Sequence, residues 1–165
     1  MAQRYYEWTD SLTEEPNDGR ALFGRDAMAN YMIIGAKQLG YDIFETADGK
    51  TIVNLPRDVA KKLWDNYYVP YVKGFFASSG RFRSDDMKTG NVLAFVGSSA
   101  GCTFFPDHVT NGDSDSYDIE VKTYQAPKFE GGADYAVQQG AGMVIINKSD
   151  AQVEAAARFL KWFTQ

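Results

Sequence analysis

The stretch Asn91-Val92-Leu93-Ala94-Phe95-Val96-Gly97-Ser98-Ser99-Ala100-Gly101 decides the fold class. Asn91 to Gly97 is mostly apolar, the pattern of a strand buried on both faces. Ser98 to Phe105 opens with small residues and is expected to start a helix. An apolar strand that passes through a small-residue turn into a helix belongs to a mixed, α/β or α+β architecture. The expectation is an α/β chain, a mixed sheet with flanking helices.

Working outward from this stretch, Ser84 is positioned to cap a short helix, Asp85 to Thr89, closed by Gly90. Further upstream, Asp26 can cap a helix to about Leu39, with Gly40 as its stop and Met28, Tyr31, Met32, Gly35 and Leu39 on one face. Tyr41 to Asn54 reads as a hairpin turning at Asp48-Gly49. Asn54 can cap the next helix, with Pro56 in its first turn. Its stripes are Val59, Leu63 and Tyr67, and beside them Ala60, Trp64 and Tyr68; Pro70 should end or kink it. Met1 to Trp8 reads as helical turns or a short strand, and Thr9 to Gly24 as a loop. An element at the very start followed by a long loop gives the expectation of a piece cut from a longer chain.

Downstream, His108 to Ser116 reads as a polar loop and Tyr117 to Tyr124 as an alternating strand. Ala126 to Asp134 is a Pro/Gly linker. Tyr135 to Asn147 reads as a strand interrupted by Gln138-Gln139-Gly140-Ala141-Gly142. Ser149 and Gln152 have capping-box spacing before a last helix to Thr164, with Val153, Ala156, Leu160 and Phe163 on one face.

Composition narrows the function. The chain has 165 residues, 44% hydrophobic and 24% charged, which fits one ordinary globular domain. Its net charge is −5, and its densest basic stretches, Lys61-Lys62 and Arg81 to Arg83, are short. A nucleic-acid binder or an anionic-membrane binder needs a basic stripe, so neither is expected. No apolar run is long enough to span a bilayer, and Met1 to Tyr6 has no signal-peptide core. Cys102 is the only cysteine, which excludes an internal disulfide and the common multi-cysteine zinc sites. The aromatic content of 15% is high. Rings with a polar edge suit sugars and other amphipathic ligands as well as cores.

Several groups were weighed for chemistry. Cys102 and His108 are the only residues of their types, and no orienting partner is evident for a nucleophilic pair. Asp85-Asp86 suits a helix dipole better than acid–base work. Asn111, Asp113 and Asp115, with Asp118 beyond, resemble a calcium loop, but Ser116 and Lys122 stand where such a loop needs Gly and Glu. No metal or cofactor is expected. Gly97-Ser98-Ser99-Ala100-Gly101 lacks the Lys-Ser/Thr of a phosphate loop, though Ser99 fits the short Gly-x-Ser-x-Gly pattern of hydrolases. Amides at the start of a helix suit an oxygen-rich ligand. Glycines within the Gln138 to Gly142 stretch can mark close approach of a ligand or simply a bulge.

The order of these features resembles a known family. A helix ending in Lys88-Thr89-Gly90 leads to the apolar strand, Gly97 to Gly101, an acidic loop, a strand and a Pro-containing linker. Then come Tyr135 to Gly142, an apolar strand, Asn147-Lys148-Ser149 and the helix reading AAARFLKWFT, from Ala155 to Thr164. From about Phe23 to Thr164 the chain looks like the C-terminal half of an extracellular solute-binding protein of family 1, the sugar-type receptors of ABC importers.

The resemblance implies a periplasmic-binding-protein-like type II fold, in which ligand sits between two lobes that close on it. Family members are about twice this length or more and carry a secretion signal, often with a lipidated Cys. Residues 1–165 are therefore expected to be one segment of a two-lobed protein. About 23–121 would belong to the second lobe, and about 124–165 would be a linker, strand and helix returning to the first. It further implies no catalysis, a carbohydrate ligand, a membrane permease as partner of the full-length protein, and an extracellular or periplasmic location attached to the cell surface. Mapped onto this sequence, Ser98, Ser99 and Gly101 are the leading ligand-binding candidates. Gln138, Gln139 and Gly140 follow, and then Asn30, Tyr31 and the stacking residue Trp64. Two alternatives stand beside it: a serine-type hydrolase using Ser99 with His108, and an interaction module without a small ligand.

Overall fold

The structure is a computed structural model that describes residues 1–111 and 115–165, with the side chains of Asn111 and Asp115 also set aside. The loop once compared with a calcium site therefore lies largely outside the described residues. Two helices build the first core: α2, Met28–Gln38, and α3, Arg57–Val72. Tyr31 and Ala36 of α2 meet Val59, Leu63 and Tyr67 of α3, with Met32, Leu39, Phe76 and Phe129 packed around them. The expected stripe of α3 is therefore its buried face. Leu63 is 0% exposed, and a Cβ added to Gly35 would lie 2.4 Å from its Cδ2. Only glycine lets the two helices approach this closely. Aromatic rings extend the contact: Tyr31 lies 5.5 Å from Tyr67, Tyr67 lies 5.3 Å from Phe76, and Phe76 lies 5.0 Å from Phe23.

The second core lies beside a parallel pair of strands, β1 (Phe23–Arg25) and β4 (Ala94–Val96). Phe23 pairs with Ala94, Gly24 with Phe95 and Arg25 with Val96. Ala21, Met87 and Val92 are buried, with Ala77, Phe95, Ile119 and Val121 against them. Met87 comes from α4, Arg83–Lys88. Arg83 and Asp86 of α4 are buried together, with side chains 3% and 2% exposed, and form an ion pair. The Asp86 carboxylate also accepts from the backbone N–H of Ser79 at 3.2 Å and of Gly80 at 2.7 Å.

Two antiparallel hairpins complete the strands: β2 (Phe44–Ala47) with β3 (Lys50–Val53), and β5 (His108–Asn111) with β6 (Asp115–Asp118). The first turns where expected. Asp48 and Gly49 both have positive φ, 52° and 71°, as a two-residue type I′ turn demands. Its strands are exposed along their length, while Ile43 and Leu55 at its base touch the first core. The last helix, α5 (Asp150–Phe163), is capped by Ser149, whose N–H donates to Gln152 Oε1 at 3.4 Å, as the capping-box spacing requires. No helix among the described residues is long and apolar enough to cross a membrane.

Several expectations are corrected. The chain is mixed α/β, but its described strands form three separate two-stranded sheets, not one mixed sheet. The central strand is only Ala94–Val96, and Ala94 is exposed, so it is not buried on both faces. After it comes a 3-10 turn, Ser99–Phe104, in place of an α-helix. The polar loop from His108 runs into the β5–β6 hairpin, a mostly polar ribbon that buries Val109 on one face and leaves the other to solvent. Tyr117 to Tyr124 is strand only to Asp118.

Tyr135 to Asn147 has no strand. An apolar run alone cannot hold a strand that has no ladder partner, and most of this segment is exposed. Asp26 does not cap α2. Ala27 occupies the cap position in the left-handed region, at φ 52°, and the Asp26 carboxylate turns to Arg83. Asn54 likewise donates to Glu45 at 2.8 Å, and Pro56 is the cap of α3. Arg83 and Ser84 lie inside α4, which starts after Phe82. Pro70 does not end α3, which runs on to Val72. At the N-terminus the helical reading is the right one: α1 spans Ala2–Asp10, two residues into the expected loop, which also gives up Phe23 and Gly24 to β1.

Candidate functional site

Parallel strands direct their connecting turns to a common edge, and ligands of α/β proteins collect at the carboxyl ends of such strands. Here that edge is formed where β1 runs into Asp26-Ala27 and β4 runs into Gly97-Ser98. The two turns touch. The Asp26 N–H donates to Val96 O at 2.9 Å, and a Cβ on Gly97 would lie 3.2 Å from Asp26 Oδ2. Behind them, Arg83 donates to Asp26 Oδ1 from its backbone at 3.2 Å and from Nε at 3.4 Å. The edge is thus pinned to α4 by charge-assisted bonds.

Ser98 opens the 3-10 turn. Its Oγ accepts from the Ala100 N–H at 3.3 Å and its carbonyl accepts from the Gly101 N–H at 2.8 Å. Ser98 and Ser99 are exposed, and a Cβ on Gly101 would meet nothing within 4 Å. This rim presents hydroxyls and backbone groups to open space. Asn30 is half-buried in the first turn of α2, on the other side of the edge.

A second concavity is lined in part by Phe23 and Arg25 of β1. It is a cleft of about 340 Å³ between α2, α3 and Pro127 to Phe129, with Ala2 at one end. Its walls include Phe23, Phe76, Phe129 and Tyr67, and its polar groups include Arg25, Gln38 and Asn66. Tyr31 forms part of the floor. Its hydroxyl donates to Leu63 O at 2.8 Å and accepts from Asn66 Nδ2 at 3.0 Å. The Arg25 guanidinium lies 4.9 Å above the Tyr31 ring. Burial raises the pKa of the Tyr31 hydroxyl, while the Asn66 bond and the Arg25 charge oppose the shift. Burial raises that of Tyr67 as well, against the charge of Arg83 and contacts with Arg25. The same burial lowers that of Arg25, which stays a cation at any ordinary pH.

The predicted ligand residues are thus spread over several places. Ser98, Ser99, Gly101 and Asn30 belong to the two sides of the strand-end edge, and Tyr31 belongs to the cleft. Trp64 is 54% exposed on α3 and stacks on Tyr68, with ring centroids 4.0 Å apart. Its neighbour Tyr67 is core. Gln138, Gln139 and Gly140 are exposed in a segment without strand, and a Cβ on Gly140 would meet nothing within 4 Å. Among the described residues no hydrogen bond joins them to Ser98 or Ser99.

Sequence reasoning missed Arg25, Gln38 and Asn66. No sign marked Arg25, which follows a stretch that reads as a loop; the amides carry none either, because their roles depend on packing between α2 and α3.

The hydrolase alternative needs the His108 imidazole about 3 Å from the Ser99 hydroxyl. Instead His108 Nδ1 lies 2.9 Å from Asp118 Oδ1 across the β5–β6 hairpin, and among the described residues no hydrogen bond links His108 to Ser99. Cys102 is exposed on the 3-10 turn.

No curated protein and no solved structure matches the chain. A family model described as "Bacterial extracellular solute-binding protein" matches residues 6–165. Such proteins bind a small molecule outside the cytoplasm for an ABC permease, and in general they are not enzymes. With nearly its whole length inside that match, the chain belongs to the bacterial extracellular solute-binding protein family.

Proposed function

We propose that the chain binds carbohydrate, a sugar or oligosaccharide, as part of the substrate-binding component of an ABC importer. The observation that carries this reading is the strand-end edge. The Arg25–Val96 pairing and the Asp26–Val96 bond bring the turn after β1 beside the turn after β4, where Ser98 and Ser99 are open to solvent. A neutral, hydroxyl-rich ligand asks for this kind of rim: hydroxyls, amides and backbone N–H groups, with aromatic faces nearby. Asn30 would take sugar hydroxyls from the α2 side. Gln138, Gln139 and Gly140 would join from the C-terminal segment, and Trp64 with Tyr68 offers a stacking face.

In this reading residues 1–165 are a segment of a two-lobed receptor of the type II kind. Residues of about 23–121 form the body of the second lobe and about 124–165 return to the first. The exposure of the C-terminal segment supports it. Val144 is 88% exposed, and Trp162 and Phe163 are also turned to solvent, as apolar groups would be whose packing partner belongs to another lobe. The full-length receptor would be held at the cell surface, facing its permease.

Half a cleft makes half the contacts, so affinity should be near millimolar, about −4 kcal/mol. Amide chemical shifts titrated against a panel of neutral mono- and oligosaccharides test the reading. Shifts should gather at Asn30 and from Gly97 to Gly101, and Ser99→Trp should abolish them while the rest of the spectrum stays native. Shifts that survive Ser99→Trp, or that fall elsewhere, would remove the strand-end edge from consideration. A panel without response at any residue would favour a ligand-free interaction module for this segment.

A further inference from the structure

We propose that the cleft beside β1 takes the carboxylate of an acidic sugar, with Arg25 as the group that recognises it. The ring of this ligand rests on the carbohydrate reading above, while its charge is argued from the cleft alone.

The chain holds 22 acidic residues against 17 basic ones. The buried arginine of α4, Arg83, has both Asp26 and Asp86 beside it. Arg25 is half-buried in the cleft, yet among the described residues no carboxylate lies within ion-pair distance of its guanidinium. No Asp or Glu lines the cleft. Lys128 lines it too, but its ammonium is held by Asp134 at 2.7 Å. The Arg25 neighbour is instead the face of Tyr31, 4.9 Å away, which attracts the cation without satisfying its N–H donors.

The remaining polar groups point to the same chemistry. Gln38 Oε1 accepts from the Phe129 N–H at 3.2 Å, which leaves the Gln38 amide N–H groups as donors. Asn66 already gives one N–H to the Tyr31 hydroxyl and keeps another. The hydroxyl of Tyr31 is engaged by Leu63 and Asn66, so it adds no competing donor. A planar cation in a cleft that also holds amide donors and has no acidic wall matches a carboxylate, which accepts two parallel bonds from a guanidinium fork. Phe76, Phe129 and Tyr67 supply flat apolar faces for a pyranose ring. The 340 Å³ of the cleft is near the lower limit of about 300–1,000 Å³ for small-molecule sites, so a single ring is the fitting size. A hexuronic acid combines these features.

The experiment titrates the whole 165-residue chain with sodium glucuronate, glucose and sodium benzoate, following amide and Arg Nε shifts. Glucuronate should move Arg25, Gln38 and Tyr67. Glucose should bind at least about tenfold more weakly, as should glucuronate to Arg25→Gln. Raising salt from about 0.01 M to about 0.15 M, which shortens the Debye length from about 30 Å to about 8 Å, should also weaken glucuronate and leave glucose unaffected. Should Arg25→Gln fail to fold, Arg25→Lys, which keeps the charge and loses the fork, should still weaken binding. The salt dependence of the natural chain needs no variant.

Equal binding of glucose and glucuronate, or no effect of either Arg25 variant in folded protein, would overturn the acidic-sugar proposal and leave the carbohydrate reading intact. Benzoate binding as tightly as glucuronate would overturn it from the other side, by removing the sugar and keeping the anion. No shift in the cleft with any of the three would also overturn it.

Discussion

The Asp26 carboxylate receives both the backbone N–H and the side-chain Nε of Arg83, at 3.2 and 3.4 Å. One residue of α4 thereby holds the turn that leads from β1 into α2. Its other side faces Asp86, which also accepts two loop N–H groups. Removing one partner of a buried ion pair leaves the other uncompensated, at a cost of about 3–5 kcal/mol. Asp86→Ala should therefore destabilise the chain by that order, read as a lower urea midpoint. The double change Arg83→Met with Asp86→Leu also strips Asp26 and the Ser79 and Gly80 N–H groups of their partners, so it should cost at least as much as Asp86→Ala alone. A smaller loss for the single change would mean that the Asp26 carboxylate alone compensates the Arg83 charge.

The contact of Gly35 with Leu63 gives a coupled prediction. Leu63→Ala empties a fully buried site and should cost about 2–5 kcal/mol. Gly35→Ala adds a methyl 2.4 Å from Leu63 Cδ2 and should cost about 1–3 kcal/mol, despite the better helix propensity of alanine. The double variant should be more stable than the sum of the two losses, since the new methyl enters the space that Leu63 leaves. Denaturant unfolding of the four proteins checks the sign of the coupling.

Alkaline pH should unfold the chain in a defined window. Tyr31 and Tyr67 titrate higher folded than unfolded because burial opposes the phenolate. Their stabilising contribution is complete below the unfolded value of about 10 and is lost as pH rises from there through the folded value. Thermal melts at rising pH should fall from about pH 10 upward, and Tyr67→Phe should fall less steeply. A parallel fall in the two proteins would assign the alkaline limit to other groups.

The segment 135–149 makes a further case. It lacks helix and strand, so its amides have no ladder to shield them. Hydrogen exchange there should approach the rate of free chain, while the amides of α2 and α3 exchange only through global unfolding. Strong protection at Val144 or Ile146 would contradict the structure at that segment.

Much of the body was legible in the sequence, and for local reasons. The stripe Val59, Leu63 and Tyr67, the Asp48-Gly49 turn and the Ser149–Gln152 cap each depend on neighbours within a few residues. Positions fixed by distant partners were not legible. Asp26 looks like a helix cap until Arg83, far along the chain, arrives to take its carboxylate. Tyr135 to Asn147 has the apolar run of a strand but no strand beside it to pair with. The site divides in the same way. The exposed turn at Ser98 and Ser99 could be read from small residues after an apolar strand. Arg25 could not, since its significance comes from the absence of an acid around it in space.

The Phe44–Val53 ribbon has a practical use. Its base is fastened to the first core by Ile43 and Leu55, and the Asn54 N–H closes it on Ile43 O at 2.7 Å, yet its tip touches neither core. A fluorophore or affinity tag grafted at Asp48 would ride with the body as a rigid handle, leaving both the strand-end edge and the cleft free to report on what they hold.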